Sequence, residues 1–142
     1  MDTLLKETVR LTAQSQYPEM SEKARQIIEN LVIRREAKKG EQLIVDGQIC
    51  THMILVGKGM VRQYYFKNKK KDVTEHFSYE GCIVICLEST LKQEPTHLLA
   101  EAIEDCVLYY LPYQALLEAA EKSWEINIFY RKILEYSLIT SQ

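Results

Sequence analysis

The sequence predicts a mainly β domain, a sandwich or closed barrel, with helices flanking it at both ends. Short β-rich segments follow one another from residue 33 to 111, separated by glycine-bearing turns. Both flanks instead carry apolar residues at helical spacing. The chain has 142 residues, 46% of them hydrophobic and 27% charged, which suits one globular domain able to bury its own core.

The elements follow in order. Leu4, Leu5, Thr8, Val9 and Thr12 recur at helical spacing until Tyr17-Pro18 interrupts them. Ser21 then offers a hydroxyl to a free amide of a first helical turn, and Ala24, Ile27, Ile28, Leu31 and Val32 form one apolar face. Residues 1–32 are thus two N-terminal helices, each too short to persist without packing. Strands are expected at Ile33 to Lys38, Gln42 to Val45, Thr51 to Val56, Met60 to Phe66, Asp72 to Tyr79, His97 to Ile103 and Cys106 to Leu111. All five glycines are expected at corners between them, where positive φ is needed. The strand pattern stops between Gly81 and His97, where Cys82 to Ser89 and a polar loop read as an insert in the barrel mouth, a common place for a small-molecule pocket. After Pro112, residues 113–121 and a segment capped by Ser123 and running towards Thr140 are helical again.

Composition and motifs narrow the function. The net charge of −2 lacks the basic excess of a self-contained nucleic-acid binder. The one dense basic run, Lys67-Asn68-Lys69-Lys70-Lys71, reads as a solvated hairpin tip. No apolar run approaches the length of a membrane helix, and the N-terminus lacks signal-peptide grammar. The four cysteines are therefore expected to be reduced thiols in a cytoplasmic protein. Cys82 and Cys86 form a C-x-x-x-C with no second pair, short of a zinc signature, so no metal site is expected. His52 and His76 fall in strands without a nucleophile nearby, and no hydrolase, P-loop, metalloprotease or dinucleotide motif occurs. The chain does not read as an enzyme, and no resident cofactor is expected.

Lys39-Gly40-Glu41, Gly47, Ile54-Leu55-Val56-Gly57-Lys58-Gly59, Gly81 before an insert ending in Pro95, and Ala102 to Leu108 together resemble the cyclic-nucleotide-binding domain superfamily. Pro112 and the two terminal helices resemble the B helix and the start of the C helix of Crp/Fnr-type transcription regulators. The approach Phe77 to Gly81 and the Leu87-Glu88-Ser89 insert are most similar to a divergent branch found in Bacteroides-like bacteria. The resemblance implies a double-stranded β-helix, or jelly-roll, over residues 33–111. It also implies a phosphate-binding cassette at 81–97, with a B helix and a dimerising C helix over 112–142.

In that family a glutamate after the cassette glycine receives the ribose, and an arginine near the cassette end grips the cyclic phosphate with a planar fork of donors. Here Cys82 follows Gly81, and Thr96-His97 follows Pro95, with His97 the nearest stand-in for the arginine. The expectation is an effector other than cyclic AMP, of unknown identity. The candidate ligand-binding residues are Gly81, Cys82, Ile83, Glu88, Ser89, Thr96 and His97. Glu88 reads equally as a polar pocket wall or as a solvated helix residue.

Trp124, Ile126, Phe129, Ile133 and Tyr136 form a heptad-like stripe and are the candidate homodimer interface, although a helix packed back on its own barrel would use the same spacing. The resemblance implies an effector-sensing, dimerising domain that reaches DNA only through a helix-turn-helix domain outside these residues, and the chain reads as a fragment of such a regulator. The alternative is a ligand-free barrel that only dimerises, in which Leu87, Leu91 and Leu98 would fill the pocket.

Overall fold

Two four-stranded antiparallel sheets face each other in a computed structural model that describes residues 2–140. One sheet has the order β1-β8-β3-β6 and the other β2-β7-β4-β5. Their strands are β1 Ile33–Ala37, β2 Gln42–Ile44, β3 His52–Lys58, β4 Val61–Asn68, β5 Lys71–Ser78, β6 Ile83–Val84, β7 Leu99–Ala102 and β8 Cys106–Pro112. Helices α1 Thr3–Gln16 and α2 Glu22–Leu31 precede the roll, α3 Leu87–Lys92 interrupts it, and α4 Tyr113–Lys122 and α5 Trp124–Thr140 follow it. This is the jelly-roll-like arrangement with flanking helices that the sequence predicts. Met1, Ser141 and Gln142, which the expected helices included, lie outside the described residues.

Strand β3 shows how the sequence builds two cores from one sheet. Successive strand side chains point to opposite faces. Ile54 and Val56 enter the interior of the roll with Val61, Val84, Ala100 and Leu108. Met53 and Leu55 point outward, where Val9, Ile28, Leu116, Ile126 and Phe129 of the helices cover them. Residues 53–57 are therefore all buried, unlike a strand with one wet face. The register Met53↔Leu111 and Leu55↔Tyr109 carries the same division into β8.

Three expectations change. Gly57 is not a corner but an interior position of β3, and a Cβ there would lie 2.8 Å from Cε2 of Tyr109. The lysine-rich turn shrinks to Lys69-Lys70, because β4 runs to Asn68 and β5 begins at Lys71. The region from Gly81 to His97 is not free of strand, since β6 pairs Ile83 with Leu55 and Val84 with Ile54.

The expected α5 stripe is also divided. Ile126, Phe129 and Ile133 are 0%, 1% and 2% exposed and belong to the chain's own core rather than to an exposed face. Trp124 and Tyr136 remain exposed, together with Leu138 and Ile139. The apolar spacing serves the fit of α5 against the outer face of the first sheet and the other helices.

Candidate functional site

The insert between β5 and β7 is tied down at every turn. Gly81 takes φ +87°, a left-handed conformation that favours glycine, and its amide donates to Val56 O at 3.1 Å. Val56 returns a bond to Cys82 O at 3.1 Å, after which β6 pairs with β3. The one-and-a-half-turn helix α3 ends at Gln93, itself left-handed at φ 54°. The Gln93 side-chain amide donates to Thr90 O at 2.8 Å and to Cys50 O at 3.1 Å. Ser89 is buried, donates to Glu94 O at 2.5 Å and accepts from the Cys50 amide at 3.0 Å. It clamps the loop before β3 to the insert and has little capacity left for a ligand.

Between this insert, the β4–β5 hairpin and the C-terminal half of α5 lies a cavity of about 990 Å³. Of the candidate ligand-binding residues, Cys82, Ile83, Glu88, Ser89, Thr96 and His97 line it, whereas Gly81 shapes the turn and does not. Their roles differ from expectation. The Glu88 side chain is 78% exposed and pairs with Lys92 at 3.2 Å, which favours the solvated reading. The His97 side chain is 85% exposed, with Nδ1 2.8 Å from Asp46 Oδ1, so it stands at the rim and faces away from the inner wall. Thr96 turns inward, is buried, and both donates to Leu98 O and accepts from the Leu98 amide at 3.0 Å.

The inner wall belongs to residues that the sequence did not assign to the ligand site. Cys86, not Cys82, is the buried cysteine of the insert, and its thiol donates to Leu98 O at 3.3 Å. The neighbouring Cys86 thiol lowers Cys50 below its ordinary value, while Cys50 and burial push Cys86 up. Gln63 of β4 is also buried and lines the cavity, as does Ser78 at the end of β5. A register shift between Gln63 and Tyr64 places both residues inside, with the Tyr64 hydroxyl donating to Gln42 Oε1 at 2.8 Å. Gln63 was legible in principle, because it keeps inward phase with Val61 and a polar residue in a core phase invites a reason. From α5 come Ile133, Tyr136, Ser137 and Thr140, which sequence alone could not bring to the insert.

The lysine and the histidines on the wall each stand beside a carboxylate. Lys92 pairs with Glu88, His76 lies 3.4 Å from Glu75, and His97 faces Asp46. No arginine lines the cavity. Among the described residues no cluster of three or more His, Cys, Asp or Glu side chains could hold a metal ion, and no helix is long and apolar enough to cross a membrane.

Residues 34–123 match the model of the cyclic nucleotide-binding domain, and the chain belongs to that family. No curated protein matches it. Solved structures of the same fold include a cyclic nucleotide-binding domain from Methylobacillus flagellatus, at TM-score 0.80 and 17% identity over 94% of this chain and 76% of that one. The Catabolite Activator Protein of Thermus thermophilus aligns at TM-score 0.76 and 17% identity over 94% of this chain, which spans 59% of that protein. The N-terminal domain of a Streptomyces coelicolor transcriptional regulator aligns at TM-score 0.72 and 13% identity, covering 98% of this chain and 95% of that one.

Proposed function

We propose that this domain is the effector-sensing and dimerisation part of a Crp/Fnr-type transcriptional regulator whose effector is not cyclic AMP. The observation that carries the reading is the cavity itself. It is open rather than filled by Leu87, Leu91 and Leu98, yet its one lysine and both of its histidines already stand beside carboxylates. A cyclic phosphate would have to bury its charge without a guanidinium, at a cost of several kcal/mol for a missing charge-assisted pair. A ligand-free dimerisation module is the rival reading, and an open cavity with polar groups on its wall weighs against it.

The cavity wall includes Ile133, Tyr136, Ser137 and Thr140, so an occupant touches α5 directly. The same helix carries the exposed Trp124, Leu138 and Ile139, surfaces suited to a second copy. An effector with different affinity for two placements of α5 would shift their populations and so the arrangement of the dimer. DNA would be reached through a helix-turn-helix domain beyond these residues, and four free thiols fit a reducing cytoplasm. Titration calorimetry with cyclic AMP tests the reading. No binding is expected at micromolar concentrations, and an affinity of micromolar or better would overturn it. Native mass spectrometry of protein from its own cell extract is expected to show a dimer carrying a small molecule.

A further inference from the structure

Two buried polar side chains, Gln63 and Ser78, stand on the cavity wall. Gln63 is 3% exposed and reaches the cavity from the middle of β4. Its side-chain nitrogen donates to Ile85 O at 3.1 Å, with Cys86 Sγ at 3.8 Å. Those bonds fix which end of the amide is which, and among the described residues nothing donates to its carbonyl oxygen Oε1. Ser78 is 5% exposed and lines the same wall. Thr90 Oγ1 is the one buried side-chain oxygen without a partner among the described residues, so the Gln63 and Ser78 oxygens open onto the cavity itself, where an occupant can bond them.

The surroundings define the chemistry of that occupant. An amide oxygen accepts and cannot donate, so the group facing it must carry an N–H or O–H. Glu75, Glu88 and Glu94 stand on the wall against Lys92 as the one lysine, which disfavours an anion. Ile83, Ile85, Leu87, Leu91 and Phe77 supply apolar surface for the remainder of the molecule. We infer that the cavity takes an uncharged, largely apolar small molecule that presents a hydrogen-bond donor to Gln63 Oε1, with Ser78 as its second polar contact. The inference rests on the sensor reading of this same site and names the class of its effector.

Two fluorescent probes with one ring system test it: dansylamide, which is uncharged and ends in a donor N–H₂, and dansyl sulfonate, which is an anion with acceptors only. Titration of the whole chain is expected to enhance dansylamide fluorescence saturably, with an affinity at least tenfold above that of the sulfonate. Gln63→Leu is expected to weaken dansylamide at least tenfold and Ser78→Ala by a smaller factor. Sulfonate binding equal to or tighter than dansylamide overturns the inference while leaving a ligand-sensing cavity in place. Dansylamide binding unchanged in both variants also overturns it. If neither probe binds, the inference and the sensor reading fail together. The comparison of the two probes on the unaltered protein stands even if Gln63→Leu does not fold.

Discussion

Glu125 accepts two hydrogen bonds from Ser21, one from its backbone amide at 2.8 Å and one from its hydroxyl at 2.7 Å. The Ser21 hydroxyl meanwhile accepts from the Ala24 amide at 3.1 Å and so caps α2. One carboxylate in the first turn of α5 thus anchors the start of a helix 104 residues earlier in the chain. The two bonds from Ser21 hold the Glu125 carboxyl below its ordinary value. A group lowered in the folded state contributes stability above its unfolded pKa and loses it as pH falls through the folded one. Urea unfolding is expected to show Ser21→Ala costing about 1–2 kcal/mol at neutral pH. Glu125→Gln should flatten the loss of stability below about pH 4, near the ordinary glutamate value. An unchanged acid limb in that variant would contradict the linkage.

Gly57 is held by contact rather than by dihedral angle. A Cβ there would meet the Tyr109 ring at 2.8 Å, Thr8 Oγ1 at 3.0 Å and Val107 O at 3.1 Å. Tyr109 is 1% exposed and its hydroxyl donates to Asp2 at 2.9 Å, so the ring has little room to yield. Gly57→Ala is expected to destabilise by about 1–3 kcal/mol through overpacking. Gly59→Ala should cost more, because φ is +95° there and a Cβ would collide with Asp105 O. Gly47→Ala, with positive φ but open space, should cost only the backbone strain of about 1–2 kcal/mol. Denaturation midpoints of the three variants check this order.

The two ends of the α5 stripe should separate experimentally. Phe129→Ala empties a fully buried site and is expected to cost about 3–5 kcal/mol in chemical denaturation. Trp124 is 70% exposed, so Trp124→Ala should change folding stability by no more than about 0.5 kcal/mol. If α5 pairs with a second copy, that variant should instead weaken association in sedimentation equilibrium. A large folding penalty at Trp124 would show that the exposed end of α5 belongs to the core after all.

The sequence by itself determined the succession of elements. Alternation marks the strands of the roll, and the caps at Ser21 and Ser123 appear in the structure, with Ser21 accepting from Ala24 and Ser123 from Ile126. These are local effects, set by side-chain direction and by free amides within one turn, so they are written in adjacent residues. Tertiary structure decided which partner each face meets. The spacing of Ile126, Phe129 and Ile133 demands cover, but a second copy and the chain's own core satisfy that demand equally, and here the core does, with α4 and α1 foremost. It also decided the inner wall of the site. Pairing of β6 with β3 holds the insert against the roll, where Cys86 is buried and Cys82 half-buried, while a register shift in β4 brings Tyr64 inside beside Gln63. Register is a property of two strands together, so no single segment of sequence records it.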